Sequence, residues 1–330
     1  MRTFEYVRAQ SVGEAVEALS ADPQASYLAG GTNLVDHLKL GVATPSRIVD
    51  ISGLPLDEIE ETEGGLRVGA TVSNAALAAD ERVRRDYPVL ARAILAGASG
   101  QLRNQASTGG NLFQRTRCTS FQDVSMACNK RTPGVGCSAL HSYAGQNALF
   151  GGSAHCVAVY PSDMATALAA LDAHVVVVDA AGERRVPLLD LHRRPGDSPE
   201  RDTTLTHGQL VTAVELGRPA PRSAYRKVRD RASYAFALVS VAVVLRDDGP
   251  RIAWGGVATT PWRAGLAEEA LRHASLDAPL DAPLDEALVR RAVDSDLAAA
   301  APNEHNAYKV DLLRDVTTRL VLDLAGQEQR

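Results

Sequence analysis

A chain of 330 residues with 45% hydrophobic and 23% charged residues has the composition of an ordinary folded protein, long enough for two or three domains. No run of about 18 or more apolar residues occurs, which excludes a spanning helix. A formal charge of −5 with scattered basic residues excludes the electrostatic footprint of a nucleic-acid binder.

Met1 to Arg8 carries no basic segment followed by an apolar stretch, so no cleavable signal is expected and the cytoplasm is the simplest location. Ser11-Val-Gly-Glu14 is a capping box, and Val12, Ala15, Val16 and Leu19 follow at helical spacing; a helix of about ten residues is predicted, ended by Pro23. Tyr27, Leu28 and Ala29 read as a strand running into Gly30-Gly31-Thr32-Asn33, after which Leu34 to Leu40 form a short helix before Gly41. Strands are expected at 47–51 and 66–70, and helices at 72–79 and 89–98.

Residues 99–161 differ: polar residues, glycine and arginine dominate, periodicity is poor and all four cysteines lie there, so a long irregular, functional segment is expected. Pro161-Ser-Asp163 opens an alanine-rich helix to Ala173, followed by a strand at 174–179, a flexible charged segment at 193–206 and a strand at 209–216. Beyond Pro219, strands near 235–245 and 251–257 and helices near 264–273, 285–293 and 308–324 suggest a smaller α/β unit, with a boundary close to 218.

Cys118, Cys128, Cys137 and Cys156 are separated by nine, eight and eighteen residues. Disulfides are disfavoured in a large chain without a secretory signal. Structural zinc and a cubane cluster held by four thiolates both remain, since spacing alone does not separate them, and unlinked structural cysteines are a fourth reading. Arg115, Arg117, Lys130 and Arg131, with glycines at 134, 136, 151 and 152, could let amides and cations offset cluster charge, or be solvated loop residues.

The amides of the first glycine loop could cradle a pyrophosphate, or the loop could be a plain turn. Ser107-Thr108-Gly109-Gly110-Asn111-Leu112 nearly repeats it, and two such loops suit the two halves of a diphosphate. Neither matches G-x-G-x-x-G with a suitably placed acidic residue, which argues against an NAD-type fold.

Together, Leu28-Ala-Gly-Gly-Thr-Asn-Leu34, Gln101 to Leu112, Pro161-Ser-Asp-Met-Ala165, Gln209 to Leu216 and Tyr225-Arg-Lys-Val-Arg229 resemble the FAD-binding, or medium, subunits of molybdopterin-dependent dehydrogenases of the xanthine dehydrogenase family. The resemblance covers essentially the whole chain. The segments around Arg117-Cys118, Ala127 to Cys137 and Ala154-His-Cys156 are similar to the [4Fe-4S] insertion of the flavin subunit of periplasmic-type aldehyde oxidoreductases.

The resemblance implies an α+β fold: a two-part FAD-binding domain of the vanillyl-alcohol-oxidase/PCMH type, then a smaller α/β domain of the CO dehydrogenase flavoprotein type. The implied limits are 1–218, with subdomains of about 1–55 and 56–218 and an insertion at about 114–160, and then 219–330. FAD would be held by Tyr27 through Leu34, Ser107 through Asn111, Asp163, Val211 and Lys227, and the cluster by the four cysteines. Locally, Asp163 also suits an N-cap, Val211 strand core and Lys227 a surface charge. His155 and His141 are taken as loop residues.

No side chain need act as acid or base, because the flavin carries the redox chemistry. Electrons from aldehyde, purine or other heterocycle oxidation would come from the Mo cofactor of a large subunit through the [2Fe-2S] clusters of a small one. They would leave to an external acceptor, in a heterotrimer or dimer of heterotrimers. Co-export with a signal-bearing partner would place the complex in the periplasm. The rival readings are a non-enzymatic, zinc-stapled assembly protein and a stand-alone flavoprotein oxidase.

Overall fold

Ser11 starts the first helix as its spacing predicts: its hydroxyl accepts from the Glu14 amide at 3.1 Å, and the Glu14 carboxylate accepts from the Gln10 amide at 2.8 Å. A computed structural model describes residues 1–277 and 285–326. Residues 278–284 and 327–330, which include the end of the expected C-terminal unit, lie outside the described residues.

The N-terminal unit is a parallel sheet of β1 (Glu5–Arg8), β2 (Ser26–Leu28) and β3 (Arg47–Asp50), in the order β1-β3-β2. Helices α1 (Val12–Ser20) and α2 (Leu34–Leu40) make the two crossovers that parallel strands require. Ala15, Val16 and Leu19 of α1 bury against Val49 and Ile51.

A second, antiparallel sheet follows, in the order β4-β5-β8-β6-β7, from β4 (Ile59–Thr62), β5 (Gly65–Gly69), β6 (His174–Asp179), β7 (Gly182–Pro187) and β8 (Leu210–Leu216). Between β5 and β6 run α3 (Asn74–Ala79), α4 (Glu81–Asp86), α5 (Pro88–Ala96), α6 (Gly100–Gln105), α7 (Thr108–Leu112), α8 (Thr119–Gln122), a 3-10 turn at Ser138–His141 and α9 (Asp163–Ala170); α10 (Leu188–Leu191) comes after β7. The stretch expected to be irregular thus contains three short helices. They are fixed by long-range bonds rather than by periodicity.

The third sheet is antiparallel, β12-β11-β10-β9, from β9 (Ser223–Val228), β10 (Val239–Arg246), β11 (Gly249–Gly255) and β12 (Trp262–Arg263). Against it pack α11 (Gly265–Asp277), α12 (Glu286–Leu297) and α13 (Tyr308–Ala325). The strand expected near 235 begins only at Val239, because Arg229 and Arg231 tie the preceding residues into a turn through the carbonyls of Ala232, Ser233 and Tyr234.

The alanine-rich α9 joins the two parts. All its residues from Met164 to Ala170 are buried, and one continuous core links it to Val175 and Val177 on one side and Ala242, Val244 and Ala253 on the other. Each fully buried Val or Leu there contributes roughly 1.5–3 kcal/mol. No described helix is long and apolar enough to cross a membrane.

Candidate functional site

Strand β2 ends at Leu28 and α2 begins at Leu34, leaving the first glycine loop between two anchored elements. A Cβ on Gly30 would sit 2.0 Å from the Gln105 carbonyl oxygen and 3.2 Å from Ala106 Cα, so glycine is what lets the α6–α7 junction lie directly on this loop. Gly31 turns the chain at φ +73°. The amides of Gly30, Gly31, Thr32 and Asn33 make no hydrogen bond to another described residue. Asn33 Nδ2 and the Tyr27 hydroxyl are buried without partners, and burial pushes the Tyr27 phenol up. A row of amides without protein partners, flanked by orphaned buried polar atoms, offers donors that an anionic, hydrogen-bonding ligand would satisfy.

The second glycine segment behaves differently. It is the helix α7, capped by Ser107, whose hydroxyl accepts from the Gly110 amide at 3.1 Å. The Thr108 amide donates to the Val72 carbonyl and the Gly109 amide to the Ala70 carbonyl, both at 2.8 Å, and the Asn111 amide to the Ser107 carbonyl at 2.9 Å. The near repeat in sequence is no repeat in hydrogen bonding, since the amides of Thr108, Gly109, Gly110 and Asn111 all have protein partners. Asn111 donates to Asn74 Oδ1 at 2.7 Å and accepts from Ser162 at 2.6 Å and Gln114 at 2.9 Å. Below it, the Leu112 carbonyl accepts from the Tyr160 hydroxyl at 2.8 Å and faces His192 Nε2 at 2.9 Å.

Ser162, not Asp163, caps α9, through the Ala165 amide at 3.0 Å. Asp163 is left to accept from the Tyr225 hydroxyl at 2.6 Å and from Lys227 Nζ at 2.8 Å, while Lys227 also reaches the Ala96 carbonyl at 3.2 Å. Lys227 is no surface charge, since its side chain is 3% exposed. Burial, and then the Asp163 charge, hold the Tyr225 phenol far above its usual range. Val211 is buried in β8 beside the irregularity between Val176 and Val177, where its side chain is core. Sequence reasoning missed Tyr225; its place two residues before Lys227 on one strand was the available signal.

The four cysteines converge. All are free thiols and all line one small pocket, shared with Phe121, Lys130 and His155. Cys128 and Cys137 pair as an isolated antiparallel bridge. Burial pushes the Cys156 thiol up to about 11, partly offset by Lys130; burial also raises Cys118, against the amides of Phe121 and Ser120. Among the described residues, no three Cys, His, Asp or Glu side chains are arranged to hold a single metal ion.

The surrounding basic residues are structural, not solvated. Arg115 Nε and Lys130 Nζ both bond Asp202, at 2.6 and 2.5 Å, and Lys130 also donates to the Pro199 carbonyl at 2.8 Å. The segment expected to be a flexible linker at 193–206 therefore braces the cysteine loops. Arg131 gathers the carbonyls of Ser120, Phe121 and Met126. Asn129 ties the loops of Cys137 and Cys156 together, accepting from the Gly136 amide at 2.8 Å and donating to the His155 carbonyl at 3.2 Å. Arg117 lies 5.1 Å over the Phe236 ring.

Residues 2–219 match the family described as the FAD binding domain in molybdopterin dehydrogenase, and residues 223–324 the CO dehydrogenase flavoprotein C-terminal domain. The chain is 46% identical over 331 residues to the aldehyde oxidoreductase FAD-binding subunit PaoB of Escherichia coli, covering 99% of this chain and 100% of that one. Its fold is similar to a chain of quinoline 2-oxidoreductase from Pseudomonas putida 86, with TM-score 0.73, 23% identity and coverage of 99% and 98%. It is also similar to a chain of carbon monoxide dehydrogenase from Hydrogenophaga pseudoflava, with TM-score 0.71, 25% identity and 96% of each covered. The expected fold, an FAD-binding domain followed by a smaller flavoprotein-type C-terminal domain, is the observed one.

Proposed function

The chain belongs to the FAD-binding medium subunits of the molybdenum hydroxylases and is an oxidoreductase subunit; from that premise we propose that it carries electrons from aldehyde oxidation to an external acceptor, using FAD and a [4Fe-4S] cluster of its own. The observation that carries the reading is the convergence of four thiols on one pocket, together with a loop of four amides without protein partners, in a chain 46% identical along its length to an aldehyde oxidoreductase FAD-binding subunit.

The residues fit FAD. The free amides from Gly30 to Asn33, with Asn33 Nδ2 and the Tyr27 hydroxyl, supply donors for a diphosphate and its ribose. Bound FAD supplies the one- and two-electron redox chemistry. Helix α7 is tied to the start of α9 through Asn111 and Ser162, and Asp163 with Lys227 and Tyr225 holds the start of α9 against β9. These titratable groups saturate one another, so they position rather than transfer protons.

Four cysteines on one pocket match the number of thiolates that a cubane takes, one at each corner. Amides of Ser120, Phe121 and Ala158 directed at sulfur, and Lys130 nearby, suit a charged cluster. On this reading the FAD-binding domain spans 1–218, with the cluster insertion at about 114–160, and the second domain 219–330. The partners are a large molybdenum subunit and a small [2Fe-2S] subunit, in the cytoplasm or co-exported.

Anaerobic purification followed by FAD, iron and sulfide analysis tests the proposal. About one FAD and four irons per chain are expected. Zinc without flavin overturns it.

A further inference from the structure

Asn33 closes the first glycine loop and starts α2, yet its side chain does not cap its own helix. Its Oδ1 accepts from the Arg115 backbone amide at 3.0 Å, a bond spanning 82 positions of sequence. Arg115 lies three residues before Cys118, on the strap that leads into the cysteine pocket. With Oδ1 held there, the buried Nδ2 has no protein partner and is left for whatever the loop amides bind.

One turn further along α2, His37 meets the same strap. Asn33 and His37 stand four apart, so they share a helix face. The His37 ring contacts Phe121 edge-on, with centroids 5.6 Å apart, and the Arg115 guanidinium lies over the same Phe121 ring, 4.6 Å from its centroid. Phe121 is fully buried, sits on α8 directly after Cys118 and lines the cysteine pocket. The face of α2 that follows the glycine loop therefore packs on residues whose placement depends on the cysteine loops.

Those loops have little regular structure of their own. Between Cys118 and Cys156 the described elements are one four-residue helix, one 3-10 turn and two isolated bridges, Cys128 to Cys137 and Phe150 to Ala258. Side-chain ties from Arg131, Asn129 and Lys130 hold the segment, and a centre bound to all four thiolates would add four cross-links to it. Metal binding of this kind is itself folding free energy.

We propose that occupancy of the cysteine pocket sets the affinity of the glycine loop for its dinucleotide, with Asn33 as the positioning residue that carries the coupling. A filled pocket fixes the strap, the Arg115 amide fixes Asn33 Oδ1, and Nδ2 is presented to the ligand. An empty pocket frees the strap, and Asn33 turns to other partners. The inference rests on the proposed reading of the two sites as FAD and cluster sites, and adds that they are thermodynamically linked; by reciprocity, bound FAD also tightens the metal site.

The test uses the full chain, purified anaerobically, as isolated and after removal of iron by chelator with a mild oxidant. FAD dissociation is read from recovery of flavin fluorescence, and amide exchange is followed across residues 29–40. Iron removal is expected to weaken FAD binding of the wild-type chain about ten-fold and to speed exchange across α2, a magnitude ordinary for coupled sites. Asn33→Ala starts weaker and is expected to change less than about two-fold on iron removal. Exchange in the wild type answers the question even where Asn33→Ala binds no FAD. Equal FAD affinity with and without iron, equal factors in wild type and Asn33→Ala, or unchanged exchange across 29–40 overturns the coupling. Absence of metal in the starting protein overturns the reading beneath it, which iron analysis separates from a failure of the coupling alone.

Discussion

Lys227 on β9 reaches Asp163 at the head of α9, Nζ to Oδ2 at 2.8 Å, and the two side chains are only 3% and 10% exposed. This ion pair crosses from the C-terminal sheet to the FAD-binding domain. Tyr225 satisfies the other carboxylate oxygen, and the Ala96 carbonyl accepts from both Lys227 and Arg229.

Removing one partner leaves the other charge buried. Lys227→Met is expected to lower stability by about 3–5 kcal/mol. The double variant with Asp163→Leu should lose less than the sum of the single changes. Urea denaturation of the three proteins measures this, and additive losses would show that the pair does not act as a unit.

Gly30→Ala drives a methyl group into the Gln105 carbonyl, which belongs to backbone and cannot swing aside. The expected result is a folded chain with FAD content near zero, because the α6–α7 junction must lift off the loop. Gly64→Ala is the control, as nothing lies within 4 Å of a Cβ there; its stability should stay within about 0.5 kcal/mol of wild type. Flavin-to-protein ratios of the two variants decide the matter.

Burial, and then the charges of Arg115 and Arg117, lower His37 from 6.5 to about 4. The unfolded chain therefore binds this proton first as pH falls, so stability is complete above pH 6.5 and declines toward pH 4, by roughly 3 kcal/mol in all. His37→Phe removes the proton site and should flatten the unfolding free energy over that window. An unchanged acid slope would mean that the ring is not buried as neutral imidazole.

Burial works to raise the Asp202 carboxyl, but Arg115 and Lys130 outweigh it and hold it below the usual range. The resulting stability is present above the ordinary carboxylate pKa of about 4 and is lost as pH falls below it. Asp202→Asn should remove that acid sensitivity and cost about 2 kcal/mol at neutral pH, less than a sealed pair because Asp202 is 34% exposed. On the proposed cluster reading, iron should also leave the variant faster under chelator, since Lys130 lines the cysteine pocket.

Elements with a strong local pattern were legible in the sequence. The capping box of α1 and the valine run of β6 were both visible. Strand β7, Gly182-Glu-Arg-Arg-Val-Pro187, was not, because an edge strand facing solvent carries charge instead of alternation. Helix α7 is five residues long with two glycines, and its conformation is decided by bonds to Val72 and Ala70, which no local pattern announces. The same holds for Asp202, whose partners lie 72 and 87 positions away. Asp163 was singled out, but Ser162 beside it competes for the capping role, and only the far strand β9 shows what the carboxylate is for.

Strand β8 lies between β5 and β6 in the sheet, although in the chain it follows both. During synthesis, all four cysteines have emerged before the strand that closes the central sheet and before Asp202, the brace of their pocket. Synthesis thus has a built-in order: the cysteine loops are complete while the sheet is still open, and the carboxylate that braces them arrives afterwards.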